Sequence, residues 1–299
     1  MCSPIRLIRP GARTTVAGTV PNRVKKAASM PSTPRECITG DGHGPVGAMG
    51  TSAYHPTMGC DRFRAVLFDV GGPIDTEVIH ETLVDRDLLA AFATQGIPVT
   101  HAALAEASEY AVGAFAPDAY RAIAWRLARG DASLAGRAYE HFREGSAARQ
   151  RERGGIELRP GIAALLADLA AAGVPLALAA NQPVAAVDDL EQAGVLRHFR
   201  GTLLSDHHGY RKPDPRLFLA ACSSMDVKPE RCVMVGDRID NDIAPARLLG
   251  MGTILLRTGR HRRQQPRSWD EAPDHEVADV PELRAALEAW SLLPAAAAP

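Results

Sequence analysis

The chain has 299 residues, of which 46% are hydrophobic and 23% charged, and its formal net charge is −1. This composition is that of a soluble globular protein with one or two domains, and the near-zero charge gives no electrostatic basis for a dedicated nucleic-acid-binding protein. No apolar run reaches the roughly 18 residues that a membrane-spanning helix needs. We therefore expect neither nucleic acid nor a membrane among the partners.

The charge is distributed unevenly along the chain. Residues 1–60 carry seven basic and two acidic side chains, a net charge of +5, so the remainder carries −6. Pro, Gly, Ser and Thr are scattered through these residues without helical or strand periodicity, which predicts a disordered basic extension. Lysine is scarce, because only Lys25, Lys26, Lys212 and Lys228 stand beside 30 arginines.

The five cysteines form no CxxC pair and no spacing typical of a disulfide framework. Cys222 and Cys232 stand among apolar residues, which predicts buried thiols that pack as small hydrophobic side chains. This use of cysteine is typical of a reducing compartment, so we expect a cytoplasmic protein. The sequence does not indicate an oligomeric state.

From residue 64 onward, short apolar runs alternate with helical patterns. The first run, RAVLFDV at 64–70, ends near an acid and is followed by Gly-Gly-Pro, which is typical of a buried parallel strand and a turn. Four later runs have the same form: VPLALAA at 174–180, GTLLSD at 201–206, RCVMVGD at 231–237 and GTILLR at 252–257. The pattern predicts an α/β fold, a Rossmann-like doubly wound parallel sheet with helices on both faces.

Helices are predicted between these runs. Residues 162–169 place Ile and Leu side chains on one helical face, with Pro160 near the start and Gly173 after the end. Residues 216–225 and 243–249 show similar patterns. Each of these helices follows one strand and precedes the next, as a doubly wound sheet requires.

A longer helical block interrupts the alternation after the first strand. Its predicted helices are a segment with Ile79, Leu83 and residues 88–92, then 101–115, then a segment from Pro117-Asp118, then about 133–152. Gly154-Gly155 ends the block. We interpret residues 78–157 as a helical cap, and residues 61–77 and 158–293 as the core. Tyr120 and Trp125 are expected in the core of the cap.

Polar side chains follow the predicted strands. Asp69 follows the first strand, Asn181 the second, Lys212 the third, and Asp237 and Asp242 the fourth. Ligands of open α/β sheets bind outside the carboxyl ends of the strands, so these groups are expected to converge. Carboxylates cluster at low cost only around a cation, and hard oxygen ligands of this kind suit Mg²⁺. Lys212 would then face the remaining negative charge of a substrate.

Each of these signals also has a purely structural interpretation. An acid at the end of a strand is often a helix cap or a turn residue, and Asp237 could cap the helix that begins near Asp240. In the segment Lys212-Pro213-Asp214-Pro215, Asp214 could cap a helix with Pro215 at its first position. The arginines of a basic stretch are expected to face solvent, although contact with an anionic substrate or partner stays open: Arg257, Arg260, Arg262, Arg263 and Arg267.

Four segments together resemble the haloacid dehalogenase superfamily of hydrolases. They are LFDVGGPIDT (67–76), LALAANQ (176–182), YRKPDPRLF (210–218) and VMVGDRIDNDIAPARLLGMGT (233–253). The third and fourth segments match specific motifs of the superfamily, the first segment is a good match, and the second is a degraded match. The helical block lies where members of this superfamily with a helical cap carry it.

The resemblance implies a role for each residue. Asp69 would be the nucleophile that forms an aspartyl-phosphate, and Lys212 would orient it and stabilise charge on the transferring group. Mg²⁺ would be held by Asp69, the backbone carbonyl of Gly71, Asp237 and Asp242. Gly72 and Asn181, together with Lys212, would bind the phosphate.

Three positions depart from the superfamily's phosphatases. The second Asp that acts there as general acid and base is Gly71 here, and the usual Thr and Ser/Thr are Pro73 and Ala180. Loss of a general acid lowers rates by about 10²- to 10⁴-fold. A water, Asp75, Glu77, His80 or Glu81 could replace the lost group, although Asp75 is better interpreted as a turn or hinge residue. These departures also leave open a catalytically impaired binding protein.

Two other branches of the superfamily lack the second Asp. Phosphonate-cleaving members use a lysine of the cap as a Schiff base, and no lysine occurs between residues 27 and 211. Dehalogenases need no metal, whereas the segment from Gly236 to Asp242 resembles a metal site. We therefore expect a Mg²⁺-dependent hydrolase, a phosphatase of a small phosphorylated metabolite, with a metal-independent dehalogenase as an alternative.

Overall fold

A parallel sheet of six strands organises residues 62–295, the part of the chain that this computed structural model describes. The strands are β1 (Ala65–Phe68), β2 (Leu176–Ala180), β3 (Gly201–Leu204), β4 (Cys232–Gly236), β5 (Gly252–Leu256) and β6 (His275–Val277). Their order across the sheet is β3-β2-β1-β4-β5-β6, and all five pairings are parallel. The predicted disordered extension, residues 1–60, lies outside the described residues.

The predicted α/β fold is confirmed, and so are its first five strands. Their residues are almost all buried, as expected for a parallel sheet covered on both faces. The sequence analysis missed β6, because its three residues include His275 and Glu276 and form no apolar run. The helix Val280–Ala289 that follows it was missed as well.

Helices cover both faces of the sheet. After the helical block, the chain forms α6 (Ile162–Ala171), α7 (Ala186–Gln192), α8 (Ser205–His208), α9 (Pro215–Ser224), α10 (Ala244–Leu248) and α11 (Val280–Ala289). A π-helix at Ile239–Ile243 leads into α10. Val66 and Phe68 of β1 pack with α6 and α11, whereas Ala65 and Leu67 pack with α9. This alternation follows from the two-residue period of a strand.

Residues 78–153 form five helices with a separate apolar core, which we call the helical insert. They are α1 (Val78–Ala93), α2 (His101–Gly113), α3 (Ala119–Leu127), α4 (Ala132–Glu144) and α5 (Ser146–Arg153). Leu88, Phe92, Ile123 and Phe142 are at the centre of its core. The single helix expected at 133–152 is two helices, which meet at Gly145. Trp125 is 48% exposed, so its placement in the core was wrong.

Local signals explain where several helices begin. The side chains of Thr100, Asp118 and Asp131 accept hydrogen bonds from the first turns of α2, α3 and α4. Asp214 does the same for α9, and Pro215 occupies the first helical position, as expected. This part of the Lys-Pro-Asp-Pro segment is therefore a helix start.

Asp75 contacts both chain segments that connect the insert with the sheet, the one before the insert and the one after it. It forms isolated bridges to Gly71 on one side and Leu158 on the other. Its Oδ1 accepts hydrogen bonds from the backbone N–H groups of Glu77 and Glu157, both at 3.1 Å. Its other oxygen is paired with Arg153 at the end of the insert. These contacts agree with the interpretation of Asp75 as a turn residue, and a role as a hinge stays a prediction.

Within residues 62–295, no helix combines the length and the apolar character needed to cross a membrane.

Candidate active site

Two neighbouring strands deliver two carboxylates to the same edge of the sheet. Asp69 follows β1 and Asp237 follows β4, and these strands pair with Phe68 opposite Val235. The backbone N–H of Asp69 donates to the carbonyl of Val235 at 2.9 Å, which continues the register to the end of the strands. The carboxyl ends of parallel strands thus bring the two acids together, as predicted.

Lys212 lies between two carboxylates below the surface. Its Nζ is 2.8 Å from Oδ1 of Asp69 and 2.6 Å from Oδ1 of Asp242. The lysine side chain is almost fully buried, whereas 13% of the Asp69 side chain is exposed. Asp69 therefore keeps part of its side chain open to solvent while the lysine holds its position.

Asp242 is completely buried and serves as an anchor for the lysine. Its Oδ1 accepts from Lys212, and its Oδ2 accepts from the backbone N–H of Arg238 at 3.0 Å. Gly236 makes room for this carboxylate, since a Cβ on that residue would collide with it. Each oxygen of Asp242 keeps a second lone pair with which it could also contact a cation.

The electrostatics of the cluster favour a cation. Burial, followed by the charges of Asp242, Glu77 and Asp69, raises the pKa of Asp237 well above its usual range. Burial also raises the pKa of Asp242, to about 6, although Lys212 opposes this shift. Burial by itself would lower the pKa of Lys212, but the two carboxylates outweigh it and the net shift is upward. One ammonium is thus shared by several acids.

The donor set fits a hard divalent ion. Asp69, Asp237 and Asp242 each offer a carboxylate oxygen, and these oxygens lie within 4.8 Å of one another. No described residue donates a hydrogen bond to the carboxylate of Asp237, so the alternative that it caps the following helix is wrong. Oxygen ligands of this kind are those that Mg²⁺ prefers.

The loop after Asp69 is shaped by two glycines. Gly72 has a φ of 80°, and a Cβ there would lie 2.7 Å from Cβ of Asp237. Its carbonyl accepts a hydrogen bond of 2.6 Å from Nε of Arg159, which also donates to Thr258 at 2.7 Å. Sequence reasoning missed Arg159, because nothing in its local pattern links it to a loop 87 residues away.

Asn181 contacts the lysine segment. Its Oδ1 accepts from the backbone N–H of Lys212 at 2.8 Å, and its Nδ2 donates to the backbone carbonyl of Lys212 at 3.0 Å. One N–H of the amide stays free to contact a ligand. In this structure Asn181 thus positions Lys212, a contact that the sequence did not indicate. Ala180, which precedes it, is buried and contributes no polar side-chain atom.

Glu77 brings a fourth carboxyl group to the site. A Cβ on Gly71 would lie 2.5 Å from Oε1 and 2.8 Å from Cδ of Glu77, so this carboxyl group fills the space beside Gly71. Burial and the negative charges of Asp69 and Glu81 raise the pKa of Glu77 to about 7, although Lys212 opposes the shift. The sequence analysis gave Glu77 only as one of several groups that could replace the lost general acid and base.

The basic stretch after β5 lies against the insert. Arg260 donates to Asp85 at 2.7 Å and to Ser108 at 2.8 Å, and its backbone N–H donates to Glu81 at 2.7 Å. Arg263 pairs with Glu109 at 2.5 Å. The expectation that this stretch simply faces solvent is therefore wrong for Arg260, because its charge is compensated by acids of the insert.

The fold and the site define a class of protein: a doubly wound parallel sheet with carboxylates and one buried lysine at its carboxyl edge. The chain belongs to the haloacid dehalogenase-like hydrolases, since the model of that family matches residues 63–250. The resemblance expected from the four sequence segments is thereby confirmed.

Curated relatives are named as phosphatases. The chain is 38% identical over 96 residues to a glyceraldehyde 3-phosphate phosphatase of Methanopyrus kandleri, covering 32% of this chain and 41% of the relative. It is 37% identical to a phosphoserine phosphatase of Thermus thermophilus, covering 50% and 59%. The chain thus spans between two and three fifths of these two relatives. An N-acetylmuramic acid 6-phosphate phosphatase of Pseudomonas aeruginosa is 31% identical, with 73% of this chain and 95% of that protein covered.

Solved structures share the fold. A family hydrolase of Deinococcus radiodurans R1 with bound phosphate and sodium is 23% identical, with 78% of this chain and 99% of that chain covered and a TM-score of 0.58. A haloacid dehalogenase-like protein of Streptococcus pneumoniae is 18% identical, with coverages of 76% and 99% and a TM-score of 0.55. At these identities the likeness concerns the fold alone.

Proposed function

We propose that the protein is a Mg²⁺-dependent phosphatase of a small phosphorylated metabolite and that Asp69 is its nucleophile. The observation that carries this proposal is the placement of Asp69, whose Oδ1 is 2.8 Å from the ammonium of a buried lysine while part of its side chain is open to solvent. A carboxylate in this position can attack an electrophile without first losing a proton.

Each neighbouring group has a task in this reaction. Lys212 orients Asp69 and stabilises charge on the transferring phosphoryl group, and Asn181 keeps the lysine segment in place. Asp69, Asp237, Asp242 and the backbone carbonyl of Gly71 would hold Mg²⁺. The ion, when bound, neutralises phosphate oxygens and stabilises the charge of the transition state.

Gly72 would let its backbone approach the phosphate, because it carries no side chain and its neighbour Asp237 leaves no space for one. The cap expected at residues 78–157, which contains the helical insert, would lie over this edge of the sheet and would exclude water during the reaction. The free N–H of Asn181 would add a contact to the phosphate.

The named relatives support the substrate class. Three of them act, by name, on small phosphorylated compounds: a triose phosphate, a phosphorylated amino acid and a phosphorylated amino sugar. These compounds belong to different chemical classes and share a phosphate ester. We therefore extend to this chain only their shared property, a phosphate ester on a small molecule.

A screen of phosphorylated metabolites with Mg²⁺ and with a chelator tests the proposal. We expect phosphate release that requires Mg²⁺ and that Asp69→Asn abolishes, with Asp226→Asn as an exposed control that leaves it unchanged. Phosphate release by Asp69→Asn at the wild-type rate would overturn the proposal. Ligand-induced thermal stabilisation without turnover would instead indicate a binding protein, and chelator-insensitive release of halide from haloacids would indicate a dehalogenase.

A further inference from the structure

The proposed reaction requires a group that moves protons. Attack of Asp69 on phosphorus expels an alkoxide, which leaves far more easily as an alcohol, and the water that later cleaves the aspartyl-phosphate must lose a proton. Lys212 is poorly suited to this task, because its ammonium is buried and already bonded to Asp69 and Asp242. The proton carrier must therefore come from elsewhere at this edge of the sheet.

Three nearby candidates have other contacts. Both oxygens of Asp75 are used, one by two backbone N–H groups and the other by Arg153. Glu81 accepts a hydrogen bond from the backbone of Arg260. His80 faces the hydroxyl of Tyr120, with 3.3 Å between Nε2 and the oxygen. These groups hold the insert and its connections together.

Glu77 differs from these three residues, because its carboxyl group is not held by hydrogen bonds of this kind. No described residue donates a hydrogen bond to its carboxyl oxygens, and it lies outside the group of three carboxylates that could share a metal ion. Its carboxyl carbon is 2.8 Å from the point where a Cβ on Gly71 would stand, two residues after Asp69. Glu77 as a residue is partly exposed.

The backbone turns Glu77 toward this point. Its φ is 60° and its ψ is 7°, the left-handed region, which is unfavourable for a residue that carries a side chain. The carboxylate of Asp75 holds this conformation by accepting the backbone N–H of Glu77. Strain of this kind persists where the surrounding structure enforces it and is common at functional sites.

We propose that Glu77 is the general acid and base of this enzyme; the inference rests on the proposed phosphatase function. As an Oδ atom of Asp69 bonds to phosphorus and the ester P–O bond breaks, the leaving oxygen takes the proton of Glu77 and departs as an alcohol. The Glu77 carboxylate then accepts a proton from water as the water oxygen attacks phosphorus. The bond between Asp69 and phosphorus breaks, inorganic phosphate forms, and Glu77 is protonated again.

Gly71 is the partner of Glu77 in this arrangement. A side chain on residue 71 would displace the Glu77 carboxyl group, since even its Cβ would lie 2.5 Å from Oε1. The glycine therefore makes room for a carboxyl group that arrives from six residues further along the chain. We therefore expect that residue 71 can carry a side chain only when the side chain of residue 77 is shortened at the same time.

Leaving groups of different basicity test the proposal on Glu77→Gln in Mg²⁺. For an alkyl phosphate we expect kcat/KM to fall by about 10²- to 10⁴-fold. For p-nitrophenyl phosphate, whose leaving group needs no proton, we expect kcat/KM to fall less than about tenfold. The same variant should release p-nitrophenolate in a burst of about one equivalent per site, followed by slow turnover, because the base for the second step is gone.

Two further variants complete the experiment. Glu81→Gln, in the first turn of the helix that Glu77 precedes, is the matched control and should not discriminate between the two leaving groups. Glu77→Ala combined with Gly71→Asp should recover part of the alkyl phosphatase activity that Glu77→Ala alone loses. Mass spectrometry of Glu77→Gln during turnover should detect phosphate covalently bound to the chain.

The outcomes separate this inference from the function on which it rests. Equal losses for both substrates, or none, would overturn the role of Glu77 while Mg²⁺-dependent turnover that requires Asp69 still stood. A large loss of Mg²⁺ affinity in Glu77→Gln would overturn it as well, because the group would then hold the metal. No turnover of any phosphate ester by the wild type would overturn the phosphatase function itself.

Discussion

At the scale of single residues, this site depends as much on missing side chains as on charged ones. Gly71, Gly72 and Gly236 each leave space that a carboxyl group occupies, those of Glu77, Asp237 and Asp242 respectively. Of the three, only Gly72 also has a positive φ. Its replacement therefore combines backbone strain with a collision.

Gly72→Ala is expected to destabilise the protein more than Gly173→Ala. Both glycines have a φ near 80°, but a Cβ on Gly173 meets nothing within 4 Å. The left-handed conformation costs each alanine about 1–2 kcal/mol, and only Gly72→Ala must also displace Asp237. Urea-induced unfolding of both variants measures the difference. Equal losses of unfolding free energy would contradict the collision.

At the scale of elements, the insert is attached to the sheet at two places. The first is the pair of connections at Asp75, where Arg153 and the backbone of Glu157 meet one buried carboxylate. The second is the loop after β5, from which Arg260 reaches Asp85 in α1 and Ser108 in α2. The closure of the insert proposed above would depend on contacts such as these.

Arg260→Ala is expected to loosen the insert without unfolding the sheet. It removes two side-chain hydrogen bonds to the insert, whereas Arg262, in the same loop, bonds only to the carbonyl of Gly259. Backbone amides of residues 78–113 should therefore exchange hydrogen faster in Arg260→Ala, with those of α9 unchanged. Arg262→Ala is the control. Faster exchange in both variants, or in neither, would refute this role of Arg260.

At the scale of the whole molecule, the acidic cluster is expected to lower stability when no cation is bound. The pKa of Asp237 is raised well above its usual range by burial and then by Asp242, Glu77 and Asp69. The folded protein thus holds this proton more tightly than the unfolded chain, whose Asp pKa is about 3.9. The free energy of unfolding without metal therefore falls as pH rises from about 4 through the raised pKa.

Asp237→Asn is expected to unfold at a higher temperature than the wild type in EDTA at pH 7.5, since it removes a buried negative charge. The difference in Tm between the variant and the wild type should become smaller toward pH 4, where the wild-type carboxyl group is protonated. Mg²⁺ should raise the Tm of the wild type and have little effect on the variant.

Differential scanning calorimetry with and without Mg²⁺ checks this, with the exposed Asp226→Asn as control. A variant less stable than the wild type in EDTA, or an equal response to Mg²⁺ in both proteins, would count against the cluster as a metal site.

Much of the architecture could be predicted from local patterns. Five of the six strands of the described residues are apolar runs of the kind that a doubly covered sheet requires, and the insert was recognisable as helical. The failures have local causes as well. The strand β6 has only three residues and includes His275 and Glu276, and the break at Gly145 does not interrupt the helical pattern.

The sequence by itself determined five of the six strands of the described residues and the placement of Asp69 and Asp237, because parallel strands bring their carboxyl ends to one edge wherever they lie in the chain. It could not select Glu77 from the other candidates. That selection depends on a left-handed backbone held by Asp75, whose own carboxylate is fixed by groups about 80 residues away. Only the tertiary structure brings such distant groups together, so only it decided which carboxyl group faces the site.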